Sequence, residues 1–201
     1  MGLLDLLFPK KCLECGQTGK YICENCLKKV PPGGWINKET YSCFKYGGVI
    51  RKAIIALKYK YSAEIAGELA EICVKNLISN HFISGYRALV PIPLHWYRQN
   101  FRGFNQAEII GEKIAKKMGW RFIPELLIKT KSTKSQVELK GPDRRKNLSG
   151  VFSLNPGILV SKYPSIILFD DVYTTGSTLS EAAKVLRRAG VKNVWGLTIA
   201  R

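Results

Sequence analysis

Apolar positions along the chain fall into segments of two different periods. Val49, Ala53, Ile54 and Leu57 recur at helical spacing over 49–58, and Ile65, Leu69, Ile72 and Cys73 do so over 64–77. A third amphipathic helix is expected over 105–118, with Ile110, Ile114 and Met118 facing inward. Residues 88–93 (ALVPIP) read as a short buried strand, and the aromatic, alternating stretch 41–46 as another. In the C-terminal part, the continuous apolar run SIILF at 165–169 predicts a strand, 170–176 a turn, and 177–189 a helix. That helix would bury Leu179, Ala182, Ala183, Leu186 and Ala189 and stop at a left-handed Gly190. A closing strand follows over 194–199. Strands alternating with helices predict a doubly wound parallel sheet with helices on both faces.

Three stretches do not follow this rhythm. VPPGGW at 30–35 reads as a linker. It divides the chain into an N-terminal module at 1–34 and an α/β domain at 35–201. Residues 129–150 are polar and basic with no apolar period, and a loop of that length is either a flexible functional lid or a disordered linker. The apolar start, MGLLDLLFPKKC, is too short for a secretory signal and is interrupted by Asp5, so a short helix packed on the body is expected. No apolar run approaches the length of a membrane span, and a cytoplasmic protein is expected.

Composition is ordinary for a globular chain of 201 residues, with 46% hydrophobic and 23% charged residues. The charge is not: 32 Lys and Arg stand against 15 acids, a net +17. A field of that sign attracts polyanions such as pyrophosphate esters, nucleic acid or anionic lipid. The alternative, a merely solubilising surface, usually pairs many Lys with many Glu, and here the acids are few.

Four of the six cysteines, Cys12, Cys15, Cys23 and Cys26, form C-x2-C-x7-C-x2-C. Each C-x2-C places two thiolates on one tight turn, and two such turns complete a tetrahedron around a structural zinc ion. Gly16 and Gly19 lie between the two pairs, where the chain must reverse. Cys43 and Cys73 sit among apolar residues and read as small core side chains.

The most informative segment is LFDDVYTTGST at 168–178. A strand runs into two carboxylates, then a run of hydroxyls around a glycine, then a helix. Backbone N–H groups at a helix N-terminus bind phosphate, Thr174, Thr175, Ser177 and Thr178 add hydroxyl donors, and Gly176 admits the anion close to the backbone. Asp170 and Asp171 would repel that phosphate unless a ribose diol, shared with Mg²⁺, lies between. A simple N-cap would account for one or two of these residues, not the whole run.

The segment resembles the motif that binds 5-phosphoribosyl-1-pyrophosphate (PRPP) in type I phosphoribosyltransferases. The resemblance implies that Asp170 and Asp171 contact the ribose hydroxyls. It implies that the loop entered through Val172 and Tyr173 and formed by Thr174, Thr175, Gly176, Ser177 and Thr178 holds the 5-phosphate. Tyr173 departs from the motif, which prefers an aliphatic residue there. A second segment, VPIPLHWYRQNFRGFNQAEIIG at 90–111, is similar to the competence protein ComF/GntX-type family through Arg102, Gly103, Phe104, Asn105, Gln106 and Ala107. Gln136, Leu139, Arg144, Asn147, Gly150 and Phe152 extend the match.

What the resemblance implies is a type I phosphoribosyltransferase-like fold and a pyrophosphate site in the 91–98 loop, with His95 and Arg98 as ligands. Arg144, in a closing lid, would neutralise the leaving group. It also implies a role in DNA uptake during natural transformation, with single-stranded DNA and the competence helicase of the uptake machinery as partners. Trp96, Tyr97, Phe101 and Phe104 would then stack bases, or pack in the core. Two functions compete. One is a Mg²⁺-dependent transferase that displaces pyrophosphate from PRPP, with Asp170, Asp171, Arg98 and Arg144 as its catalytic set. The other is a catalytically silent PRPP-fold module that binds single-stranded DNA or serves as an adaptor.

Overall fold

The computed structural model describes residues 9–59, 62–80, 87–94, 103–130 and 150–201. A cysteine-rich segment with a single helical turn, α1 (Glu24–Leu27), leads into the edge strand β1 (Pro32–Asn37) and then β2 (Thr40–Phe44). Two long helices follow, α2 (Gly48–Tyr59) and α3 (Ala63–Ser79), then β3 (Ala88–Pro91), α4 (Gln106–Met118) and the short β4 (Arg121–Phe122). A small hairpin of β5 (Leu127–Lys129) and β6 (Phe152–Leu154) precedes β7 (Ser165–Val172), α5 (Ser177–Arg188) and β8 (Asn193–Ala200).

The main sheet has the order β1-β2-β8-β7-β3-β4. All neighbours are parallel except β1, which runs antiparallel to β2. Strand residues alternate between two cores, because successive side chains point to opposite faces. Leu89, Ile167, Phe169, Leu197 and Ile199 join the core under α2, α3 and α4. Ala88, Val90, Ile166, Leu168 and Val194 join the core under α5 and the hairpin. The doubly wound parallel sheet expected from the pattern is therefore present, and its central strands are mainly apolar because both faces are covered.

The four helices expected at 49–58, 64–77, 105–118 and 177–189 form where the apolar period places them. Val49, Ala53, Ile54, Leu57, Ile65, Leu69, Cys73, Ile110 and Ile114 are all buried, while Ile72 and Met118 are half-buried against the same core. Ser62 caps α3 by accepting the N–H of Ile65 at 3.2 Å. Gly119 and Gly190 leave α4 and α5 with positive φ. Cys43 and Cys73 are fully buried core residues.

Two expectations need correction. The stretch read as a linker contains β1, so 32–37 is part of the sheet. A proline tolerates an edge strand, where one N–H needs no partner, and Gly33 is required there because a Cβ would collide with the carbonyl of Ser42. The turn expected at 170–176 starts later, since Asp170, Asp171 and Val172 continue β7 and pair with β8 as Asp170↔Thr198 and Val172↔Ala200. The helix expected at the extreme N-terminus lies outside the described residues, as does most of the lid segment.

The hairpin closes on itself at both ends. The Thr130 N–H and hydroxyl both reach the Val151 carbonyl, at 2.9 and 3.1 Å. The Gly150 N–H donates to Glu181 on α5 at 2.9 Å.

Candidate functional site

The order of the strands reverses between β3 and β7, which are themselves parallel. From β3 the chain passes through α4 to β4 on one side, and from β7 through α5 to β8 on the other, with α4 and α5 on opposite faces. A crevice opens at the carboxyl ends of the strands at such a point, and this is where open α/β sheets bind ligands. Here it is about 180 Å³ among the described residues. Asp170, Asp171, Val172, Tyr173, Thr174, Gly176 and Thr178 line it, together with Ile92 and Pro93 from the β3 exit. A larger cavity of about 380 Å³ lies behind the same loop, where Thr175 and Ser177 face it. It lacks the carboxylate pair, so the smaller crevice is the better candidate site.

Both flanking helices present their amino ends to this crevice, through Asn105, Gln106 and Ala107 of α4 and through Gly176 and Thr178 of α5. Asn105 builds the first end. Its side-chain oxygen accepts the N–H of Ala107 at 3.1 Å and its amide donates to the Ile92 carbonyl at 3.1 Å, tying the helix cap to the strand exit. Asn105 belongs to the family-like motif, but nothing in the motif itself points to this role. At the second end Gly176 has a φ of 72°, and a Cβ there would collide with the Tyr173 hydroxyl. Thr175 and Ser177 hydroxyls bond each other at 2.7 Å.

Between the helix ends stand the two carboxylates. The half-buried Asp170 accepts the N–H of Asp171 at 2.8 Å. Its carboxyl is raised from 3.8 to about 7, first by withdrawal from water and then by the Asp171 charge, against the pull of the Asp171 N–H, Lys58 and Lys129. Asp171 pairs with Lys58 at 3.2 Å. Neither Lys58, on the last turn of α2, nor Lys129, on β5, was expected at the site. Each reaches it only through tertiary packing, so no local pattern marks it. His95, Arg98, Arg144 and the aromatic residues Trp96, Tyr97 and Phe101 lie outside the described residues.

A second candidate site is the cysteine cluster. The Sγ atoms of Cys12, Cys15, Cys23 and Cys26 all lie within 4.8 Å of one another, and Cys15 and Cys23 are 3.7 Å apart. Four thiolates on a zinc ion with Zn–S bonds of about 2.3 Å would stand about 3.8 Å apart, so the four side chains could hold zinc. Burial pushes the Cys12 thiol up, but the N–H groups of Cys15, Cys23 and Glu14 outweigh it and bring it down to about 6. Cys26 is raised to about 12, by burial first and then by bonds to the neighbouring thiols. The cluster is fastened to the body by Glu68 of α3, which accepts the N–H groups of Tyr21 and Ile22 at 3.1 and 2.8 Å. Lys10 pairs with Glu64 one turn away, at 2.7 Å.

Competence protein F of Haemophilus influenzae is 32% identical to this chain over 202 residues, covering 94% of the chain and 84% of that protein. The chain belongs to the competence protein F family. DNA utilization protein YhgH of Escherichia coli K12 is 29% identical over 195 residues, covering 92% of the chain and 82% of that protein. Competence protein ComFC of Streptococcus pneumoniae is 27% identical over 205 residues, covering 94% and 87%. No family model matches the chain. A solved structure, that of the allosteric regulatory enzyme of purine biosynthesis, aligns with a TM-score of 0.44 and 14% identity over 72% of this chain and 29% of its own. At that score the likeness supports no further statement. Among the described residues no helix is long and apolar enough to cross a membrane.

Proposed function

We propose that the crevice binds PRPP and that the protein works on it in DNA uptake or utilisation. The observation that carries this reading is the arrangement of charge. Two helix amino ends, each favouring an anion, flank two carboxylates, which favour hydroxyls or a cation. A ligand that matches must be anionic at both ends and carry a diol between them. PRPP has a 5-phosphate, a ribose diol and a 1-pyrophosphate in that order. The α5 end takes the 5-phosphate, Asp170 and Asp171 take the ribose hydroxyls, and the α4 end with the β3 exit takes the pyrophosphate.

In a transfer reaction the bond from C1 to the pyrophosphate oxygen breaks and a bond from C1 to an acceptor forms. Positive charge builds on the sugar in between, so the two carboxylates sit where they favour it, and no covalent nucleophile is required. Asp170 and Asp171 supply the hard oxygen donors that Mg²⁺ prefers, and that ion neutralises charge on the leaving group when bound. The four cysteines hold zinc as a structural ion.

Titration calorimetry with PRPP and Mg²⁺ tests this reading. Binding should be lost in Asp170→Asn with Asp171→Asn, and unchanged affinity in that double variant refutes it. Pyrophosphate release with bases, amines or oligonucleotides as acceptors then separates a transferase from a silent PRPP-fold module.

The second reading, single-stranded DNA as partner, rests on the +17 charge and on relatives named for competence and DNA utilization. Affinity for a labelled oligonucleotide should fall with salt, with a log–log slope of about −0.7 per contacted phosphate. Arg98→Ala and Arg102→Ala should flatten that slope. Absence of binding at low salt rejects the DNA role.

A further inference from the structure

The Lys58 side chain is unusual for a lysine. It is only 29% exposed, lies 3.2 Å from Asp171, and lines the crevice rather than the outer surface. Its position is rigidly set. Leu57, its neighbour in α2, is completely buried, as are Val49, Ile50 and Ala53 on the same helix. A lysine in the last turn of a helix also gains from the helix dipole, but that gain needs no carboxylate partner and is available to a lysine turned to solvent. Here the ammonium instead meets Asp171, whose side chain is 17% exposed. One oxygen of the carboxylate pair is therefore already taken by a cation that belongs to the protein.

We propose that Lys58 is the resident counter-cation of the crevice: it holds Asp171 in the ligand-free protein and passes to the phosphates of the incoming ligand. This rests on the PRPP reading of the site. A lysine has one compact charge and a flexible four-carbon stem, so it can change partners without moving its helix. In the free state it keeps two adjacent carboxylates from repelling each other and competes with divalent cations for Asp171. In the bound state the ribose diol and the ligand's own cation satisfy the carboxylates, and the ammonium becomes a phosphate ligand. Lys129, which also lines the crevice and lies 5.8 Å from the Phe152 ring centre, supplies a second positive charge.

The test uses the full chain with its cysteine cluster loaded, comparing wild type with Lys58→Met and Lys58→Arg. Two titrations are read: Mn²⁺ alone by electron paramagnetic resonance, and PRPP with saturating Mg²⁺ by calorimetry. Lys58→Met should bind Mn²⁺ about tenfold more tightly, because its competitor is gone, and PRPP about tenfold more weakly, because a charge-assisted phosphate contact is lost. Lys58→Arg, which keeps the charge, should follow wild type in the Mn²⁺ titration. If Lys58→Met proves unstable, Lys58→Gln takes its place. Mn²⁺ affinity that does not rise, or PRPP affinity that does not fall, overturns the proposal. If wild type fails to bind PRPP, the PRPP reading falls on its own. The Mn²⁺ titration then decides whether Lys58 competes for Asp171.

Discussion

Replacing Asp170 by Asn should make the protein more stable at pH 8 while destroying the site. Asp170 ends β7 half-buried, with Asp171 next to it, and its carboxyl titrates near 7 instead of 3.8. Between about pH 4 and 7 the folded protein therefore holds a proton that the unfolded chain has released. Stability falls as pH rises through that window, and the cost is complete above it. Each tenfold change in proton affinity corresponds to about 1.4 kcal/mol, so the whole displacement sets a ceiling of roughly 4 kcal/mol. Asp171 and Lys58 share in this balance, and about 2 kcal/mol is a fair expectation for Asp170 alone. Asn has the same shape and can still accept the Asp171 N–H, but carries no charge. At about 2–4 °C per kcal/mol for a chain of this size, Asp170→Asn should melt about 4–8 °C higher than wild type at pH 8. At pH 3, below both values, the carboxyl is protonated in the folded and the unfolded chain alike, and the two should melt together. Circular dichroism melts without added divalent cations at both pH values measure this. Equal melting at pH 8, or a less stable variant there, would show that the charge of Asp170 is not strained in the free protein.

Three further outcomes are expected. Glu68→Ala should cost about 2–3 kcal/mol in chemical denaturation, because it strands the N–H groups of Tyr21 and Ile22 that dock the cysteine cluster. Purified protein should contain one equivalent of zinc by elemental analysis, and Cys12→Ser should lose it; full retention in that variant would remove the metal assignment. Gly176→Ala should destabilise by at least about 1 kcal/mol, since it adds a left-handed penalty to a collision with Tyr173. Combining it with Tyr173→Ala should recover only the collision part, a partition that a double-mutant cycle reads directly.

Much of this architecture is legible in the amino-acid sequence. The helices α2, α3, α4 and α5 announce themselves because each must bury one apolar stripe, and β7 and β8 because covered strands have no polar alternation to obscure them. The edge strand β1 is hidden for the opposite reason. Pro32, Gly33 and Gly34 carry no side-chain period and look like punctuation, although Gly33 is there to let two backbones touch. Strands as short as β4, β5 and β6 have too few residues to show any period. The carboxylate pair and the hydroxyl loop are legible because they are contiguous. Lys58, Glu68 and the capping amide of Asn105 are not, since each acts on groups remote in sequence and only the tertiary fold brings them together.

The closed base of the β5–β6 hairpin offers a place to test what residues 131–149 contribute. Because Thr130 is bonded to Val151, the two described ends of that stretch stand side by side, like the rails of a drawer. Closure entropy depends only logarithmically on loop length, so halving the excursion changes stability by about 0.6 kcal/mol. An Asn-Gly turn joining the two strands would leave the sheet, the cysteine cluster and both helix ends as they are. Such a shortened chain isolates what the described crevice does by itself, and graded reinsertions would then measure how much binding that long basic segment adds.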